Sequence, residues 1–176
     1  MLYFDHAATS FPKPKCVIEA CAEAMAHAGN PGRGAHTAAL WSARCIYHTR
    51  EAVGRLFGCS PDGVVFSQNA TMSLNEAITQ IDGEILTTAM EHNSVLRPLY
   101  RRGGYRIVSA PGGVLEPDNV IRAITPETKA VIMTHASNLT GEIYDISAVG
   151  RACREKGILF IVDAAQTAGV VPVDVE

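Results

Sequence analysis

A carboxylate closes the most apolar stretch of this chain. Gly157-Ile158-Leu159-Phe160-Ile161-Val162 runs directly into Asp163, and a carboxamide, Gln166, stands three positions further on. An apolar run of that length after a glycine reads as a strand buried on both faces, as in a parallel sheet covered by helices. Open α/β sheets bind ligands beyond the carboxyl ends of their strands, which is where Asp163 falls. A carboxylate there is costly unless a cation or several donors meet it. On this segment alone two readings stay open: Asp163 faces a positive ligand, or it caps the following turn or pairs with an internal arginine.

Similar chemistry stands after other apolar runs. Ser67-Gln68-Asn69-Ala70-Thr71 follows Val64-Val65-Phe66, and Thr71 opens a helix there. Free backbone N–H groups and a hydroxyl at a helix N-terminus suit a phosphate, although Ser and Thr cap helices everywhere. Ala89-Met90-Glu91-His92-Asn93-Ser94 follows Thr88, and His135-Ala136-Ser137-Asn138 follows Thr134. A lone histidine is commonly structural. A phosphate cradle, an imidazole, two amides and a carboxylate at one sheet edge fit a planar, phosphorylated, nitrogen-containing ring. The carboxylate would keep a ring nitrogen protonated, the imidazole would lie on the ring face, and the amides would donate to a ring oxygen.

The elements that must position these groups are legible in the pattern. Lys15 to about Ala28 is helical, with Val17, Ile18, Cys21 and Met25 at spacings of three and four, and Gly29-Asn30-Pro31-Gly32-Arg33-Gly34 breaks it. A second helix runs from Thr37 to Phe57, closed by Gly58. Five strands are expected at 64–66, 84–88, 106–108, 130–134 and 158–162. Helices are expected near 71–80, 94–101, 118–124 and 146–156, the last with Asp145 as N-cap and Gly157 past its end. Strict alternation implies right-handed βαβ units and an α/β fold with a mostly parallel sheet and helices on both faces. The expected division is an N-terminal segment with helices over 1–60 and the first part of an α/β domain over 61–176.

Bulk properties narrow the class. The 176 residues are 47% hydrophobic and 19% charged, enough for one sizeable core. A net charge of −3 and a pI near 6.1 give no reason to expect nucleic acid or an anionic membrane as partner. No signal peptide and no apolar run of membrane-spanning length is present, so a cytoplasmic location is expected. The Arg101-Arg102 pair reads as solvating a turn before Gly103-Gly104. Cys16, Cys21, Cys45, Cys59 and Cys153 contain no C-x-x-C pair, against a disulfide framework or a zinc site, and most read as small core residues. No Gly-x-Gly-x-x-Gly follows an expected strand, against a nicotinamide-binding domain.

Taken together, Val65-Phe66-Ser67-Gln68-Asn69-Ala70-Thr71, Glu91-His92-Asn93-Ser94, Ser137-Asn138-Leu139-Thr140-Gly141 and Val162-Asp163-Ala164-Ala165-Gln166-Thr167 resemble the class V aminotransferase family in order and spacing. Within it they look most like the cysteine desulfurases and selenocysteine lyases. Tyr3-Phe4-Asp5-His6-Ala7-Ala8-Thr9-Ser10 and Asn30-Pro31-Gly32-Arg33-Gly34-Ala35-His36 also resemble that family's N-terminal signature, with His6 where relatives often carry Asn or Ser. The resemblance covers essentially the whole chain and corresponds to the N-terminal part of the family.

The resemblance implies the large domain of a fold-type-I transferase, incomplete over these residues, with pyridoxal 5′-phosphate as cofactor. Ala70 and Thr71 would bind the phosphate and His92 would stack on the pyridine and assist proton transfer. Asn138 and Gln166 would contact the ring hydroxyl oxygen, and Asp163 would pair with the ring nitrogen. His92 and Asp163 are thus the catalytic candidates, and no metal is expected. The implied reaction removes sulfur from L-cysteine to give alanine and an enzyme persulfide, in a homodimer that hands sulfur to an acceptor protein. The loop 30–36 would then serve a neighbouring site.

The family's Schiff-base lysine, persulfide cysteine and substrate-carboxylate arginine correspond to positions after Glu176, so these residues alone are expected to be inactive. Lys13 and Lys15 flank Pro14, while Lys129 and Lys156 belong to the opposite sheet edge. The competing expectations are another class V activity, such as an aminotransferase, a selenocysteine lyase or a kynureninase-like hydrolase, and a non-catalytic piece of the fold.

Overall fold

The computed structural model describes residues 2–175, which form two compact units. One runs up to Val65 and takes up the chain again from Pro172; the other is Phe66–Val171.

The first unit is built on two helices, α1 (Lys15–His27) and α2 (Thr37–Phe57). Gly58 ends α2 in the left-handed conformation, φ 68°, which a residue with a Cβ adopts only at a cost. The final stretch returns to it, the Val175 amide donating to the Phe57 carbonyl at 3.0 Å. The spacing that marks α1 as helical does not mark a buried face. Val17 and Ile18 are exposed and Met25 is 84% exposed, so nothing within this unit covers the stripe. The cysteines behave alike: Cys16, Cys21 and Cys45 are exposed, Cys59 is half-buried, and only Cys153, in the second unit, is a core residue. Small size permits burial, but it takes a covering element to impose it.

The second unit is a four-stranded, wholly parallel sheet with helices on both faces, the α/β architecture expected. Its elements in order are α3 (Ala70–Gln80), β1 (Glu84–Thr88), α4 (Asn93–Arg102), β2 (Tyr105–Val108), α5 (Pro117–Ala123), β3 (Thr128–Thr134), α6 (Ile146–Glu155) and β4 (Leu159–Asp163). The strands lie in the order β2-β1-β3-β4, each pair parallel. Alternation along the strands assigns the two faces. Ile85, Ala130 and Ile132 pack with Leu74 and Ile78 of α3 and Val95 and Leu99 of α4. Leu86, Val131 and Met133 pack with Val120 of α5 and Val149 and Cys153 of α6. The step from β1 to β2 carries its helix on one face, and the steps from β2 to β3 and β3 to β4 run the other way with theirs on the opposite face. That arrangement gives every crossover the same hand.

Val64-Val65-Phe66 does not form the expected strand. It has no paired neighbour among the described residues, and Val65 and Phe66 are exposed. A strand needs hydrogen-bonded partners, and apolar composition alone does not supply them. Arg102 is not a solvated turn residue either: its guanidinium donates to the Ile81 and Gly83 carbonyls at 2.6 and 2.7 Å. At the amino edge of the sheet Arg106 makes two hydrogen bonds to Glu84, 2.9 and 2.7 Å, and a third to the Ala123 carbonyl. This clamp joins β1, β2 and the end of α5. The guanidinium holds the Glu84 carboxyl below its ordinary range. Among the described residues no helix is long and apolar enough to cross a membrane.

Candidate functional site

Strand order reverses direction between β1 and β3, and such a switch point is where open α/β sheets leave a crevice at their carboxyl edge. The loops after β1, β3 and β4 all leave from that edge. Thr134 at the end of β3 is the register partner of Asp163 at the end of β4. The main-chain carbonyl of Asp163 accepts from His135 at 2.9 Å, and its Oδ1 accepts from the Ala165 amide at 3.0 Å. The carboxylate therefore does cap the following turn. No arginine meets it among the described residues, so it stands at the edge of the sheet without an internal countercharge.

The end of β1 places the imidazole. His92 is the N-cap of α4, its Nδ1 accepting from the Ser94 amide at 3.1 Å, and the ring itself is exposed. With that amide donating to Nδ1, the neutral ring carries its proton on Nε2. Ser94 Oγ lies 2.8 Å from the same Nδ1 and 2.7 Å from Thr71 Oγ1. This short chain of hydroxyls ties the imidazole to the start of α3.

At that start, the cap is Asn69 rather than Thr71. Asn69 Oδ1 accepts from the Met72 amide at 2.9 Å, its carbonyl accepts from Ser73, and the helix begins at Ala70. The first amides of a helix have no carbonyl within it to meet. With Met72 and Ser73 taken by Asn69, the amides of Ala70 and Thr71 are the pair left over among the described residues, next to the Thr71 hydroxyl. The structure thus links Thr71 and His92 directly through Ser94 and pairs Asp163 with the end of β3. Asn138 is exposed in the turn after β3 that is closed by the Ala136–Ile143 bridge. Gln166 is half-buried in the turn after Asp163.

Two residues given no role from the sequence belong to this site. One is Ser94, whose signal was a hydroxyl two positions past a histidine at a helix start. The other is Glu91, buried at the switch point itself. Glu91 Oε1 accepts from Thr88 Oγ1 at 2.6 Å and from the Thr134 amide at 3.0 Å, bridging the ends of β1 and β3. Its Oε2 is buried with no hydrogen-bond partner among the described residues. Burial, with a smaller push from the nearby Asp163, raises the Glu91 carboxyl from 4.5 to about 7. The next loop carries a second buried group, His135, whose Nδ1 has no hydrogen-bond partner among the described residues and whose pKa burial lowers.

The donor set fits a phosphorylated pyridine. A pair of helix N-terminal amides with a hydroxyl suits a phosphate, an exposed imidazole suits a ring face, and a carboxylate lacking a countercharge suits a ring N–H.

A model of the family described as Aminotransferase class-V matches residues 2–176. Among curated relatives, a probable cysteine desulfurase of Methanothermobacter thermautotrophicus is 33% identical over 184 residues, 99% of this chain and 46% of that protein. A cysteine desulfurase of Shewanella sediminis is 34% identical over 190 residues, 99% of this chain and 47% of that protein. Among solved structures, the apo cysteine desulfurase of Thermococcus onnurineus superposes with a TM-score of 0.86 at 31% identity, covering 99% of this chain and 46% of that one. A structure described as SspA in complex with cysteine gives a TM-score of 0.88 at 29% identity, covering 99% and 54%. The chain spans about half the length of the curated relatives it matches.

Proposed function

The chain belongs to the class V aminotransferase family, and from that premise we propose that it carries the cofactor-holding part of a pyridoxal 5′-phosphate enzyme of the cysteine desulfurase type. The whole protein would take sulfur from L-cysteine and leave alanine. The observation that carries the reading is the edge just described: leftover amides at Ala70 and Thr71, an imidazole tied to them through Ser94, and Asp163 at the end of β4 without an internal countercharge. Cysteine desulfurases among the relatives, and the neighbour solved with cysteine, favour this amino acid over other substrates of the family.

When bound, the cofactor supplies an electron-withdrawing ring next to the amino acid's Cα. The chain's own residues do the rest. The Ala70 and Thr71 amides and the Thr71 hydroxyl bind the phosphate dianion at the positive end of α3. Asp163, its Oδ1 fixed by the Ala165 amide, holds a proton on the ring nitrogen. His92 covers the ring face and, with Nδ1 engaged by Ser94, offers Nε2 for moving a proton. Asn138 and Gln166 donate to the ring hydroxyl oxygen from the two flanking turns.

The same reading includes a homodimer and a sulfur-acceptor partner. The uncovered apolar stripe of α1 supports the dimer. Five cysteines without a disulfide, three of them exposed, suit a reducing cytoplasm.

The test is formation of alanine from L-cysteine by the cofactor-loaded whole protein, with an added dithiol reductant to release the persulfide sulfur as an equal amount of sulfide. Asp163→Ala should lose far more turnover than cofactor affinity. Turnover left nearly unchanged by that substitution, or alanine formed with no matching sulfide in the presence of the dithiol, would overturn the assignment.

A further inference from the structure

A buried carboxyl with no part in holding the cofactor stands at the carboxyl edge. Glu91 is 7% exposed, and both of its protein hydrogen bonds fall on one oxygen. The second oxygen is buried and has no hydrogen-bond partner among the described residues. A carboxylate would leave a charged oxygen unsatisfied in the interior, whereas a carboxylic acid leaves only a neutral hydroxyl, so this geometry favours the protonated form. Its donors come from the strands on either side of the switch point, and one of them, Thr134, is the register partner of Asp163. The group that would hold the ring nitrogen is therefore a near neighbour of Glu91.

We infer that Glu91 is a positioning residue of the cofactor site, which fastens the His92 loop to the end of β3 and gives up a proton when a ring cation is held against Asp163. The inference rests on the cofactor reading given above. With Asp163 bare, its negative charge opposes a second one on Glu91. A cation seated on Asp163 removes that opposition, the O–H bond of Glu91 breaks, and the proton passes to buffer. Cofactor binding and Glu91 ionisation are then linked, and each favours the other. The titratable groups around Glu91 agree with this sign. Burial, and to a smaller extent Asp163 from β4, pushes its pKa up, and Tyr144, which precedes α6 and whose hydroxyl burial raises, feels the Glu91 charge as a minor addition in the same direction. His92 and His135 are the imidazoles of the two adjoining loops.

The experiment is calorimetric titration of the protein with pyridoxal 5′-phosphate at pH 7, in buffers of different ionisation enthalpy, so that protons released per site are counted. Glu91→Gln keeps an acceptor for Thr88 and Thr134 but has no proton to give. With Glu91 half protonated near pH 7, the wild type should release up to roughly half a proton more than the variant. It should also bind the cofactor more tightly as pH rises from 6 to 8, a dependence that Glu91→Gln flattens. A merely structural Glu91 would change affinity without changing the proton count. If the variant does not fold, the wild type alone decides: extra release that peaks near pH 7 supports the linkage, and release without such a maximum overturns it. Tight binding with equal proton counts in the two proteins would refute the role of Glu91 and leave the cofactor assignment standing. No binding by the wild type would end both.

Discussion

Glu91→Gln should make the protein more stable above neutral pH, and the size of the gain follows from where Glu91 lies. The buried carboxyl, with one oxygen unpartnered, has its pKa raised from 4.5 to about 7 in the folded state. A folded pKa above the unfolded one means that the folded form holds its proton longer. The contribution to stability is therefore whole below about pH 4.5, shrinks as pH rises toward 7, and is gone above that. At about 1.4 kcal/mol per pH unit, the loss across this window is about 3 kcal/mol, a large part of a typical domain's stability. Glutamine retains an oxygen for the Thr88 hydroxyl and the Thr134 amide and has no charge to bury. Its buried N–H adds an offset that does not change with pH. Chemical denaturation of both proteins from pH 4.5 to pH 8.5 gives the difference directly. The stability of the variant relative to wild type should climb by about 3 kcal/mol between pH 4.5 and pH 8. A difference that stays flat across that range would refute the reasoning.

Two further perturbations act at opposite edges of the sheet. Ser94→Ala removes the hydroxyl that joins Thr71 to His92, at 2.7 and 2.8 Å, while the amide that caps α4 remains. The loss of hydrogen bonds worth about 0.5–1.5 kcal/mol each should weaken pyridoxal 5′-phosphate binding by about 3- to 10-fold, read from an absorbance titration, with little change in melting temperature. Arg106→Ala opens the clamp on Glu84 and the Ala123 carbonyl. Because Arg106 is 39% and Glu84 25% exposed, screening limits the cost to about 1–2 kcal/mol, measured by urea denaturation at pH 7. The wild-type advantage should shrink as pH falls below the ordinary range of Glu84, whose lowered pKa makes its contribution one that acid removes.

The parts of this protein that could be read from its residues are those in which one local signal decides the outcome. The apolar runs ending at Thr88, Thr134 and Asp163 form parallel strands because each is flanked by helices long enough to cover it. Asp145 and Gly58 bound their helices by chemistry local to the cap. Outcomes that depend on distant neighbours were not legible. Val64-Val65-Phe66 has strand composition and no strand beside it, and the stripe of α1 has helical spacing and no cover within its unit. The start of α3 turned on Asn69 taking the Met72 amide, which begins the helix one residue before Thr71, a matter of backbone geometry. Glu91 is the most instructive case. A glutamate in a loop reads as solvated, and only the meeting of β1 and β3 across 43 residues buries it.

The central claim is that a pyridine ring lies at the carboxyl edge with its nitrogen on Asp163 and its phosphate on α3. A crystal structure of the protein grown with pyridoxal 5′-phosphate tests it most directly. The expected density places the phosphate against the Ala70 and Thr71 amides, the ring beneath His92 and the ring nitrogen within hydrogen-bond distance of Asp163. A cofactor bound away from these residues, or turned so that its nitrogen faces anything but Asp163, would contradict the claim.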